Sequence, residues 1–180
     1  MKKAKKFSAL DMTYVALFAV LISVCAWVAV PTVPPFTLQT LGVMLSAALL
    51  GWKRGLAAVF IYILLGAIGL PVFSGFQSGL GVLLGPSGGY IWGFIFLALS
   101  VGLFAQKEKS GYLLAGMILG LLLCYACGAA WFMLVYTRSS GSIGLWAALG
   151  SCVLPFILPD LVKMLLAFYL HRRLRGFIRP

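Results

Sequence analysis

The 180-residue chain is 63% hydrophobic and only 9% charged, with a mean hydropathy of +1.09, whereas a soluble domain carries about 25% charged residues. Fourteen Lys and Arg against three Asp and Glu give a net charge of +11. Those cations flank apolar runs without any recognition element, which excludes nucleic acid as a partner and leaves the lipid bilayer, including its anionic headgroups, as the surroundings they meet.

Taken in chain order, Lys2, Lys3, Lys5 and Lys6 precede a first apolar run, 12–30, that stops before Pro31. It is long for a signal-peptide core and no small-x-small cleavage site follows it, so it reads as a span. Ala16, Ala19 and Ser23, with Ala26, form a stripe of small residues that suits close helix approach, either to a partner subunit or within the bundle. Two short apolar runs follow, 38–50 and 56–70, separated by Gly51-Trp52-Lys53-Arg54-Gly55. A glycine-rich segment from Pro71 to Gly89 leads to spans 90–105, 112–136 and 145–170, the last interrupted by Pro155 and Pro159.

Six spans put both termini on one side. With that side cytoplasmic, twelve of the fourteen basic residues lie inside, Arg138 lies in an outer loop and Lys163 lies within a span. The expectation is an all-α integral membrane protein: one domain over 1–180, a six-transmembrane-helix bundle with both termini cytoplasmic, set in the cell membrane. Its irregular outer segments (31–36, 71–89 and 155–159) would lie over a ligand pocket, since non-helical backbone at membrane depth is tolerated where it lines a cavity.

The acidic residues narrow the chemistry. Asp11 suits the start of the first helix, and Glu108 sits in a turn between Lys107 and Lys109. Asp160 and Lys163, three apart on one helix face within a span, are either a self-satisfied pair holding a broken helix or a ligand site. Polar candidates near them are Thr37, Gln39 and Thr40 at the start of the second span, and Gln77, Ser78 and Gly79 in the long loop. Phe36, Phe73, Phe76, Tyr90 and Trp92 can wall a pocket or form an interfacial belt. The lone histidine, His171, reads as a solvated flank among arginines, and no acid–histidine cluster can hold a metal, so the chain reads as no enzyme and as carrying no cofactor or metal. Cys124-x-x-Cys127 within a lipid-embedded run reads as packing. No Gly-Lys-Ser/Thr phosphate loop is present, so energy for transport would come from a partner or a gradient.

Four motifs then carry a resemblance. Pro35-Phe36-Thr37-Leu38-Gln39-Thr40-Leu41-Gly42, Leu65-Gly66-Ala67-Ile68-Gly69-Leu70-Pro71-Val72-Phe73, Leu84-Gly85-Pro86-Ser87-Gly88-Gly89-Tyr90, and Leu154-Pro155 with Pro159-Asp160 and Lys163 resemble the BioY family over residues 10 to 175. BioY proteins are biotin-binding S components of energy-coupling factor (ECF) vitamin transporters. The resemblance implies six helices, biotin as the transported ligand, a site at Asp160, Lys163, Gln77 and Gln39, and a coupling subunit plus an ATPase pair as partners, with the small residues of the first helix facing the coupling subunit. An S component for another vitamin, or a membrane scaffold, is the competing reading.

Overall fold

The computed structural model describes residues 7–32, 34–107, 110–140 and 144–178. The basic flank at Lys2, Lys3, Lys5 and Lys6, together with Glu108, Lys109 and Arg179, lies outside them, as does the side chain of Arg138.

Helix α1 (Ala9–Trp27) begins at a capping box: Ser8 Oγ accepts from the Asp11 backbone N–H at 3.2 Å, and the Asp11 carboxylate accepts from the Ser8 N–H at 2.9 Å. After it, β1 (Ala29–Val30) and β2 (Phe36–Thr37) pair antiparallel, so the first outer segment, expected to be irregular, is a small hairpin.

Helix α2 (Gln39–Ala67) covers both short runs. Its 29 residues do not form one rod, because Gly51 has φ 75° and ψ 176°, a left-handed conformation that suits glycine. Two contacts show that the chain reverses there. A Cβ on Gly55 would lie 2.6 Å from Ala47 Cα, and the Gln39 amide bonds the Tyr62 hydroxyl, 23 residues away. In a continuous helix those pairs would be about 12 and 35 Å apart along the axis. The arms 39–50 and 52–67 are therefore antiparallel neighbours.

The glycine-rich segment is partly ordered, as a 3₁₀ turn (Ser74–Phe76) and helix α3 (Leu80–Leu84). Helices α4 (Gly88–Phe104) and α5 (Ser110–Ser140) pack along each other, tied by Ser100 Oγ donating to Gly116 O at 2.9 Å. Helix α6 (Leu145–Cys152) ends at Val153, and α7 (Leu154–Leu174) carries Pro155 in its first turn, where a missing N–H costs no helical bond, and Pro159 inside. Among the described residues, Ala9–Trp27, Gln39–Ala67, Ser110–Thr137 and Trp146–Leu174 are long and apolar enough to cross a membrane, and Gly88–Phe104 is a shorter apolar helix.

The core gathers Ile22, Met44, Tyr62, Phe73, Leu97 and Met117, all fully buried, between α1, α2, α4 and α5. Large apolar side chains also point outward, such as Leu122 on α5 and Leu158 and Val162 on α7. That distribution suits an acyl-chain environment, where an exposed leucine costs nothing. Ala19 and Ser23 are 1% and 4% exposed and face the interior, Ser23 Oγ donating to Ala19 O, whereas Ala16 alone of the three expected partner residues is exposed. The small-residue stripe is chiefly a contact within the bundle.

The two ends of the bundle differ. At one, Arg54 pairs with Asp11 at 2.8 Å, and Lys107, Arg172 and Arg175 surround a shared cavity. At the other lie the β hairpin and the 71–89 segment, joined by Trp27 Nε1 donating to Pro71 O at 2.8 Å and by Trp27 stacking on Phe76 at 5.2 Å.

Candidate functional site

The hairpin end encloses a cavity to which six parts of the chain contribute. Pro35 and Thr37 come from the hairpin, Gln39 and Thr40 from the start of α2, and Phe73, Ser74 and Gln77 from the loop. Tyr90, Ile91 and Phe94 come from α4, Cys124 and Tyr125 from α5, and Phe156, Asp160 and Lys163 from α7. Polar groups converge on one side of it and aromatic rings on the other.

Asp160 and Lys163 are 3% and 5% exposed, too deeply buried for water to solvate either charge. Their spacing on α7 brings Lys163 Nζ to 2.7 Å from Asp160 Oδ1. The pair sits inside a fuller shell. Thr40 Oγ1 donates to Asp160 Oδ1 at 2.8 Å, and Tyr125 OH donates to Asp160 Oδ2 at 2.6 Å. Lys163 donates to Thr37 O at 2.6 Å and reaches Thr40 Oγ1 at 3.4 Å, while its ammonium lies 4.1 Å from the centre of the Phe36 ring. Every part of this shell offsets the desolvation of two ions.

Gln39 is oriented by the same segment. Its Oε1 accepts from Thr37 Oγ1 at 2.8 Å, and its side-chain amide bonds Tyr62 OH. Tyr62 in turn meets Phe73 edge-on at 5.5 Å. On the aromatic side, Tyr90 and Phe36 lie 6.3 and 6.1 Å from Phe156, and Tyr90 OH donates to Cys152 O at 2.5 Å.

Among the sequence candidates, Asp160, Lys163, Gln39, Thr37 and Tyr90 thus line one cavity, with Phe36 behind Lys163. Gln77 lies at its rim with an exposed side chain. Gly79 does not line the cavity; with φ 88° its N–H bonds Gly66 O at 2.7 Å, which closes the loop over α2. Tyr125 and Phe156 are site residues that sequence reasoning missed. Tyr125 had a readable signal, a phenol in the middle of an apolar span, whose hydroxyl needs a partner when buried. His171, expected to be solvated, is half-buried.

Among the described residues no group of His, Cys, Asp and Glu could hold a metal ion. What this arrangement can do is bind: a fixed anion and a fixed cation, each already hydrogen-bonded, facing aromatic walls suits a small ligand with N–H donors, an acceptor and an apolar body.

Comparison with known proteins gives the same direction. The sequence model of the BioY family matches residues 1–179. The biotin transporter BioY of Thermotoga maritima is 43% identical over 165 residues, covering 88% of this chain and 92% of that protein. The probable biotin transporter BioY of Pyrococcus horikoshii is 40% identical over 167 residues, covering 92% and 96%. Among solved structures, the S-component for biotin from an ECF-type ABC transporter superposes with a TM-score of 0.80 at 31% identity, covering 92% of this chain and 90% of that one.

Proposed function

Because this chain belongs to the BioY family, we propose that it captures biotin in the cavity around Asp160 and Lys163, on the outer face of the cell membrane. It is a biotin-binding, substrate-specific membrane subunit and not an enzyme. The observation that carries the site is the buried ion pair, held by Thr37, Thr40 and Tyr125 within a walled pocket.

The chemistry supports that assignment. The ureido ring of biotin offers two N–H donors and a carbonyl. Among the described residues Asp160 Oδ2 accepts from Tyr125 alone, so it keeps a lone pair for a ureido N–H. The long 3.4 Å contact from Lys163 to Thr40 is the donor most easily given up to a ligand oxygen. Phe73, Phe94, Tyr90 and Phe156 suit the thiophane ring and the aliphatic chain. Gln77 at the rim and Gln39 inside would supply further hydrogen bonds.

The same reading has six crossings, with the two arms of α2 as the second and third and both termini cytoplasmic. Work is divided, with a transmembrane coupling subunit and an ATPase pair supplying the energy. In support, Lys53, Arg54, Lys107, Arg172 and Arg175 lie at the end opposite the pocket. A periplasm-active reporter fused to the C-terminus should stay silent, and activity there would refute this topology.

Labelled biotin should bind saturably to the purified chain in detergent; a folded sample without saturable binding would sink the assignment. Tyr125→Phe, which removes one hydrogen bond to the carboxylate but keeps the ring, should weaken binding roughly tenfold or more, as expected for a bond to a charged group. An unchanged Kd would remove Tyr125 from the site.

A further inference from the structure

The opposite end of the bundle has a cavity that the biotin reading leaves unused. It is lined by Lys107 from the α4–α5 turn, by His171 and Arg172 from the last turn of α7, and by Arg175 just beyond it. Leu49, Leu113 and Phe168 supply an apolar floor. No carboxylate among the described residues lines it, and the nearby Asp11 is engaged by Arg54.

The preference of basic residues for the cytoplasmic side explains how many cations lie at this end, but not why they converge on a recess. Two observations separate the recess from a general charge excess. First, the cations differ in placement: Arg173 lies over the Tyr169 ring at 5.3 Å and Lys53 over Trp52 at 5.4 Å, and neither lines this cavity, whereas Arg172, Arg175 and Lys107, the last also over Tyr112 at 5.9 Å, do. Second, His171 Nδ1 is buried and meets no hydrogen-bond partner among the described residues. A buried nitrogen left without a partner is costly, and the ring that carries it belongs to a residue lining the recess.

From these we infer that the recess binds an anionic phosphoryl group, held by Arg172 and Arg175 with Lys107 and His171. Guanidinium groups match the oxygens of a phosphoryl group in pairs, and the apolar floor fits the glycerol and acyl part of a phospholipid. The shared chemistry is the phosphoryl anion, carried by an anionic lipid headgroup or by free phosphate. This inference needs only that the chain is embedded in a bilayer and does not depend on biotin.

The test uses the full chain in phosphatidylcholine nanodiscs containing a minority of phosphatidylglycerol, with retained lipid counted by native mass spectrometry. The pair Arg172→Gln with Arg175→Gln should lower phosphatidylglycerol retention roughly tenfold. The pair Lys53→Gln with Arg173→Gln, of equal net charge, should change it less than about twofold, since scattered surface charge contributes weakly. Equal loss in the two pairs would reduce the effect to diffuse attraction and overturn the site, as would no loss in either. A cooperative thermal unfolding transition like that of the unaltered chain reports that a variant is folded. If the double variant fails that check, Arg175→Gln against Arg173→Gln makes the same comparison: a selective loss with Arg175→Gln supports the site, and equal or no loss overturns it. Adding inorganic phosphate separates the sources: displacement of the lipid identifies a site open to free phosphate, and unchanged retention identifies a headgroup site, the anion site standing in either case.

Discussion

Neutralising both members of the buried pair, Asp160→Asn with Lys163→Met, should abolish measurable biotin binding while returning stability close to that of the unaltered chain. The single changes should behave differently. Asp160→Asn leaves the Lys163 ammonium, 5% exposed, without a counter-charge, its acceptors among the described residues then being Thr37 O, Thr40 Oγ1 and the neutral amide oxygen, beside the Phe36 ring. Removing one partner of a buried pair costs about 3–5 kcal/mol. Lys163→Met should cost less, because the Asp160 carboxylate keeps donors from Thr40 and Tyr125. The double variant carries no buried charge, so the two destabilisations should fail to add. Thermal unfolding in detergent and labelled-biotin binding on the same samples check this. If the double variant is less stable than either single, the pair serves structure first; if it still binds biotin, the ligand lies elsewhere.

The second large effect is expected far from any charge. A Cβ at Gly66 would lie 2.0 Å from Cζ of Phe73 and 2.4 Å from its Cε1. Phe73 is fully buried, lines the cavity and meets Tyr62, which holds Gln39. Gly66→Ala must therefore push the ring toward the pocket or lift the loop that Gly79 ties to Gly66 O. Overpacking of this kind costs about 1–3 kcal/mol, and binding should fall roughly tenfold or more as the ring moves. Adding Phe73→Leu, which frees the space, should recover part of that affinity. Loss that the second change does not touch would place the fault in the backbone rather than in the ring.

The sequence made some of this readable and hid the rest for identifiable reasons. Apolar runs and proline breaks pointed to the apolar helices, and the i, i+3 spacing to the Asp160–Lys163 contact, because both are local along the chain. Thr40 and Tyr125 meet the same carboxylate from 120 and 35 residues away, a distance no local pattern encodes. The small residues Ala19 and Ser23 read equally as an outer or an inner surface, and only the packing of α1 on α2 turned them inward. Similarly, the helix position of Asp11 is legible in the sequence, whereas its ion partner Arg54 is supplied by the fold.

The reversal at Gly51 also fixes how far the pocket stands from the opposite end of the bundle. The arm 39–50 has 12 residues, about 18 Å at the rise of an α-helix, against a hydrocarbon layer about 30 Å thick. Along α7, nine residues separate Lys163 from Arg172, which is about 14 Å. Both routes put the polar shell of the pocket about 14–18 Å from the basic end of the bundle. On the six-crossing reading proposed above, a ligand held there would lie within the thickness of the hydrocarbon layer, and the short arm is the ruler that sets its distance from the basic end.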